Sequence, residues 1–202
     1  MQDPIIDEAL KSLNQFNPKS VFLYGSRGRG DAKPDSDYEV GVIFDDDKYV
    51  QRSDIHAAIG NSQVKAYPFM WSELSHGTFK HVFQRSIYLR EIIKGGKTIS
   101  GESLVENIDP VPITTLDLIQ RLRFDIGQAL ASLLSYRSGD MPTSMEEFSK
   151  SCLFGLRCLE ILELKEFPVG YVEIYKLSGK LKGVEEYKQV IDAAFAQRSG
   201  SE

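Results

Sequence analysis

Cysteine, tryptophan and histidine are scarce in this 202-residue chain, at two, one and three copies. Two cysteines cannot staple a disulfide scaffold. They stand at Cys152 and Cys158 on what reads as one helix, pointing in different directions, so a bridge between them is geometrically disfavoured. No metal-binding cysteine spacing occurs. His76 and His81 are five apart in a predicted helix and share no face on which to chelate, and His56 stands alone. Basic excess is also missing. Lys and Arg number 24 against 29 Asp and Glu, a net charge of −5, which speaks against nucleic acid as a partner of the whole surface. No apolar run approaches the roughly 20 residues of a spanning helix. The opening MQDPIIDEAL is acidic and lacks the basic flank and apolar core of a secretory leader. These absences lead to the expectation of a cytoplasmic protein with reduced thiols and no membrane segment.

What is present divides the chain in two. Pro4 suits a first helical turn, and Ile5, Ile6, Ala9, Leu10 and Leu13 follow at near-helical spacing. Val21 to Tyr24 and Tyr38 to Phe44 read as strands, with Arg27 to Asp35 as a loop between them that leaves room for one helical turn. Arg52 to Ile59 reads as a helix closed by Gly60, and Gln63 to Trp71 as a third strand. A helix is expected from Ser72 to about Ile93, then a short edge strand over Thr98 to Ser100. Asn107-Ile108-Asp109-Pro110-Val111-Pro112 carries two prolines and reads as the linker. Beyond it the pattern is helical throughout. Thr115 to Tyr136 places Leu118, Ile119, Leu122, Ile126, Ala129, Leu130 and Leu133 on one face. A second helix from about Pro142 to Leu164 carries Phe148, Cys152, Leu156, Leu159 and Leu162, and two more follow. The expectation is an α/β domain with a small mixed sheet over residues 1–106, joined to an all-α helical bundle over residues 113–202.

The stretch VFLYGSRGRGDAKPDSDYEVGVIF carries the chemistry. Gly25 lets a backbone approach a phosphate with no Cβ in the way, and the Ser26 hydroxyl and nearby amides suit anionic oxygens. Arg27 and Arg29 flank that place. Asp37 and Glu39 are two apart on an extended segment, so they project from the same face. At ~4 Å two such charges repel by on the order of 4 kcal/mol at an effective dielectric of about 20. Mg²⁺ is the natural compensating charge, because it takes one or two carboxylates plus substrate phosphates. Asp45-Asp46-Asp47, by contrast, reads as a solvated turn ending a strand.

Gly25-Ser26-Arg27-Gly28-Arg29-Gly30, a spacer, then Ser36-Asp37-Tyr38-Glu39-Val40 resembles the motif of the minimal nucleotidyltransferase domains of the DNA polymerase β-like superfamily. The order of a helical half after an α/β half is similar to two-domain members such as the aminoglycoside nucleotidyltransferases. The resemblance implies that Asp37 and Glu39 are catalytic metal ligands for Mg²⁺. It also implies that Gly25, Ser26, Arg27 and Arg29 bind a nucleoside triphosphate, with ATP as the expected donor. The implied reaction moves a nucleoside monophosphate, AMP, to a hydroxyl of a small-molecule or protein acceptor. Nucleic acid is not expected as a partner, and a homodimer stays open.

Glu39 stands where a second Asp is commoner in the family. Many members also carry a third carboxylate on the next strand, which here runs Val64 to Trp71 with no acid and has Lys65 near the expected place. Three explanations stay open: an acid from the helical half (Asp125, Glu146, Glu147 or Glu160), a one-metal site, or a protein that binds nucleotide or a partner without transfer, including an antitoxin-like role. Lys150 occupies a helix on which similar enzymes aim a basic residue at the triphosphate, although a plain surface lysine is the simpler reading. A toxin-ribonuclease reading of the helical half fails, since it needs a histidine and none follows His81.

Overall fold

The computed structural model describes residues 3–34, 36–75 and 85–200. His76 and His81 lie outside them. The chain divides into two compact units, Met1–Pro112 and Ile113–Glu202.

In the first unit, helix α1 (Pro4–Leu13) begins on Asp3, whose carboxylate accepts from the Ile5 amide, with Pro4 in the first turn. There follow β1 (Ser20–Tyr24), α2 (Gly25–Arg29), β2 (Tyr38–Phe44), α3 (Arg52–Ile59), β3 (Val64–Met70), α4 (Trp71–Ser75), α5 (Arg85–Gly95) and β4 (Lys97–Gly101). The sheet order is β3-β2-β1-β4. It is mixed: β1 runs antiparallel to β2 and β4, and β2 runs parallel to β3. A parallel neighbour needs a crossover, and α3 supplies it.

Strand alternation sorts the side chains into two cores. Val21, Val40, Val42, Val64 and Ala66 pack with Ile6, Ala9 and Leu13 of α1 and Ile55 and Ile59 of α3. Phe22, Tyr24, Ile43 and Phe69 pack on the opposite face with Leu89 and Ile92 of α5 and Val105. Phe22 and Gly41 are register partners, and a Cβ on Gly41 would stand 2.0 Å from the Phe22 ring, so the glycine is where that ring lies.

One sequence expectation shifts here. The third strand ends at Met70 because Glu73 accepts from the Met70 amide and Asp46 from the Ser72 amide, which caps a new helical start and draws Trp71 into α4. Asp46 of the acidic triplet is thus partly a cap, and Asp45 pairs with Lys19 at 3.1 Å. The one helical turn that the glycine-rich loop allowed is α2, which starts at Gly25 and is closed by Gly30 at φ +85°.

The second unit holds α6 (Thr115–Arg137), α7 (Met141–Glu163), α8 (Tyr171–Ser178) and α9 (Lys188–Ser199). A reciprocal capping box between Thr114 and Asp117 starts α6, and Asp140 caps α7 ahead of Pro142. The buried apolar cluster joins Leu153 and Leu156 of α7 to Ile174 of α8 and Ile191 and Ala194 of α9, with Leu181. Helix α6 contributes nothing to it among the described residues.

The stripe read from the sequence of α6 is therefore split. Leu118 is buried and Leu122 and Ala129 half-buried, but Ile119, Ile126, Leu130 and Leu133 are exposed. The buried face of α6 is instead Leu118, Arg121, Asp125 and Ser132, with Arg121 Nε donating to both Asp125 carboxylate oxygens at 3.1 and 2.9 Å. At about 100° per residue the stripe spans roughly 120° of the helix, and the buried direction falls at its Leu118 flank, where this ion pair takes the inward place. No described helix is long and apolar enough to cross a membrane.

Candidate functional site

The two halves of the glycine-acid motif meet where β1 gives way to α2. Antiparallel register sets Glu39 opposite Tyr24, the residue before Gly25. Gly25 has φ +64°, a left-handed conformation that favours glycine. A Cβ there would stand 1.7 Å from Glu39 Oε2. The Glu39 carboxylate therefore lies directly against the Gly25 backbone, and any side chain at position 25 would displace it. Gly28 is tied as closely, since its Cβ would meet the Gly95 carbonyl at 2.4 Å and seat against α5.

Asp37 immediately precedes β2 and is exposed, with no hydrogen bond or ion pair among the described residues. Between the two acids, Tyr38 turns to the other face, where its hydroxyl donates to Asp3 and its ring carries the Arg27 guanidinium 4.2 Å from the centroid. The Asp3 carboxylate holds the Tyr38 hydroxyl above its ordinary range. Glu39 lies within β2 and Asp37 just before it, with a structural tyrosine between them.

Arg27 is spent on the loop. Its Nη2 donates to the Pro34 and Ser36 carbonyls at 2.9 and 3.0 Å and its Nε to Ser36 at 3.3 Å, which fixes the chain that leads into Asp37. Arg29 forms a forked pair with Asp31, Nε and Nη2 lying 3.3 and 3.2 Å from its two oxygens. Ser26 is half-buried, and its carbonyl accepts from the Gly30 and Asp31 amides, closing the turn.

Aromatic hydroxyls that the sequence reading did not single out line the Glu39 side of the sheet. Tyr24 and Tyr88 share a hydrogen bond of 3.0 Å between their hydroxyls, and the Tyr24 and Tyr67 rings lie 6.4 Å apart, edge on. Burial first, then Tyr88 and Glu39, push the Tyr24 hydroxyl far above its ordinary range. Burial also dominates at Tyr88, with Glu39 adding to it. Both shifts favour the neutral phenols, one of which donates to the other near the Glu39 carboxylate. Only the position of Tyr24 before the Gly-Ser turn hinted at this; Tyr88 comes from a helix with no motif.

Parallel register sets Lys65 opposite Glu39, so the two side chains leave the same face of the sheet. The place next to Glu39 on β3 is thus held by a cation. Among the described residues no group of three His, Cys, Asp or Glu side chains converges as a metal cage. The acids expected to compensate from the helical half have their own surroundings there. Asp125 is held by Arg121, Glu146 pairs with Arg198 at 2.7 Å, Glu147 is half-buried and Glu160 is fully buried. Lys150 is exposed, Trp71 packs at the edge of the second core, and His56 Nε2 lies 3.0 Å from the Ala66 carbonyl, a structural contact. Both cysteines are free thiols.

The first unit is a mixed four-stranded sheet whose glycine turn is seated against an acidic residue of the neighbouring strand. Residues 5–100 match the sequence model described as Nucleotidyltransferase domain. The N-terminal unit therefore belongs to the nucleotidyltransferase superfamily. Among solved structures, the chain is similar to the spectinomycin adenyltransferase AAD(9) from Enterococcus faecialis, crystallised with ATP and spectinomycin. The TM-score is 0.64 at 13% identity, over 98% of this chain and 90% of that one. At that identity the likeness is one of fold, and it includes the helical C-terminal half. A search of curated proteins finds no matching sequence.

Proposed function

We propose that the first unit binds ATP with Mg²⁺ and transfers AMP to an acceptor hydroxyl. The observation that carries this reading is the Glu39 carboxylate resting on the Gly25 backbone. It joins an acidic pair to a turn with no side chain in the way, so a triphosphate could touch both at once. The donor set fits Mg²⁺: two carboxylates two residues apart, one exposed and one half-buried, leave most of an octahedral shell for phosphate oxygens and water. Bound there, the ion would neutralise the triphosphate.

The protein's own part is positioning, which dominates phosphoryl-type transfers. Asp37 and Glu39 hold the charge-compensating end. Gly25 and Ser26 take the terminal phosphate oxygens through the backbone and the hydroxyl. Arg27 fixes the loop that aims Asp37, and Arg29 stands beside the turn with its Asp31 partner. The acceptor oxygen then forms its bond to the α-phosphorus as the bond to pyrophosphate breaks. The similar adenyltransferase was crystallised with spectinomycin, which favours a small hydroxylated acceptor.

Titration calorimetry with ATP and Mg²⁺ tests the site. Asp37→Ala and Gly25→Val are each expected to weaken binding by about 100-fold or more, the first by removing a ligand and the second by displacing Glu39. Parent-like binding by Asp37→Ala would sink the assignment.

Lys65 favours a second reading, in which the domain binds nucleotide without transferring it. A cation opposite Glu39 opposes a second divalent ion. Replacing Lys65 by Asp and following release of pyrophosphate separates the two readings. A gain of transfer in the variant and none in the parent supports binding alone, whereas transfer by the parent supports the enzyme.

A further inference from the structure

Helix α6 turns most of its large apolar side chains outward and buries an ion pair beside few of them. Its outward residues Leu116, Ile119, Ile126, Leu130, Leu133 and Leu134 are between 45% and 66% exposed. They recur at helical spacing over about 27 Å of a helix that rises about 1.5 Å per residue. Its inward side carries Arg121, Asp125 and Ser132, all buried, with the Arg121 guanidinium 4.9 Å from the centroid of the Phe154 ring on α7. An isolated exposed leucine needs no explanation, but six along one face do. Across the short turn, the first two turns of α7 add Met141, Met145 and Phe148, each more than a third exposed.

We propose that this face is a self-association surface, on which α6 of one copy lies antiparallel across α6 of a second. Size and symmetry point to a second copy. Each half-exposed leucine or isoleucine leaves on the order of 100 Å² outside, so the six on α6 offer roughly 600 Å² and the three on α7 bring the patch towards the ~800 Å² per partner of a stable interface. The stripe is also centred. Gly127 stands near the middle of the helix, with Leu116 and Ile119 on one side and Leu130, Leu133 and Leu134 on the other. An antiparallel pair crossing there sets each end of the stripe against the other end of its mate, the self-complementarity that a two-fold axis requires. Gly127 fits the crossing point: a Cβ on it would meet nothing within 4 Å, so the glycine serves no close contact among the described residues. A glycine inside a helix costs about 1 kcal/mol relative to alanine, and close approach of a second backbone gives it a use.

Sedimentation velocity on the full chain tests the proposal. From about 1 to 100 µM, a monomer–dimer equilibrium is expected. Ile126→Glu and Leu130→Glu should each weaken it at least about 100-fold, while Val190→Glu, at an exposed apolar site on α9, should leave it unchanged. Circular dichroism confirms that each variant folds. Gly127→Cys in a Cys152→Ser background should give a disulfide-linked dimer on oxidation. A parent that stays monomeric across the range, which is also the expected result if the first unit or another protein covers this face, overturns the proposal. So does a dimer indifferent to both glutamates, or the absence of a covalent dimer at position 127.

Discussion

In the first unit, strands bury apolar side chains on both faces of one sheet, and the polar residues gather at one strand mouth around Gly25 and Glu39. In the second unit, one helix, α7, anchors the buried cluster with α8 and α9, while α6 buries Leu118 and an ion pair and leaves Leu116, Leu130, Leu133 and Leu134 exposed. The difference teaches where each unit's function is written. A strand has two faces that alternate residue by residue, so inward and outward are forced and an acid on the wrong face is conspicuous. A helix with a broad apolar arc can turn either flank inward, and only its neighbours decide.

The largest expected effect separates two leucines of the second unit. Leu153→Ala, at a fully buried position, is expected to cost about 2–5 kcal/mol in urea unfolding. Leu130→Ala, at sub-micromolar protein, should stay within about 0.5 kcal/mol of the parent. Equal losses would mean that α6 packs its leucines inward after all.

How much of this was legible in the sequence follows from the same contrast. The bounds of α1, β2 and α3 are as the periodicity and caps announced, because Pro4, the alternation of Tyr38 to Phe44, and Gly60 are local signals. The pairing of Gly25 with Glu39 was legible as a motif, but not as a contact, since it depends on antiparallel register. Tyr88 and the Lys65–Glu39 register were not legible as geometry, because they arise from pairing between distant segments. The end of β3 at Met70 was missed for a similar reason: Asp46 caps α4 from 26 residues away. On α6 the period was right and the direction was not, since Arg121 and Asp125 look like surface residues until they find each other against α7.

A smaller effect sharpens the contrast in charge. Glu160 is fully buried in the second unit, and neither carboxylate oxygen has a hydrogen-bond partner among the described residues. Burial pushes its acid up to about 8, with Arg157 opposing and Glu166 assisting. Below the unfolded value near 4.5, both states are protonated and the stabilising effect is fully present. As pH rises towards 8 the unfolded chain releases a proton that the folded chain keeps, so stability falls by up to about 1.4 kcal/mol per pH unit. Thermal melts from pH 5 to 8 should show this slope, and Glu160→Gln should flatten it by on the order of 1–3 kcal/mol in total. An unchanged slope in the variant would move the cause elsewhere.

The smallest effect returns to the first unit and asks whether its loop charges serve the fold or the ligand. Arg29 and Asp31 form a partly exposed forked pair beside the glycine turn. Partly exposed pairs contribute about 0.2–1 kcal/mol, so Arg29→Gln should lower stability by less than 1 kcal/mol. ATP affinity is the more informative readout. If Arg29 keeps its bond to Asp31 in the complex, affinity should fall by no more than about threefold, through a lost distant charge screened over roughly 10 Å. If it swings from Asp31 to a phosphate, it trades one charge-assisted bond for another, and its loss should cost tenfold or more. Asp31→Asn then decides the case. Freeing Arg29 should tighten ATP binding when the arginine is a ligand held in reserve, and leave it unchanged when the pair only shapes the loop that leads to Asp37.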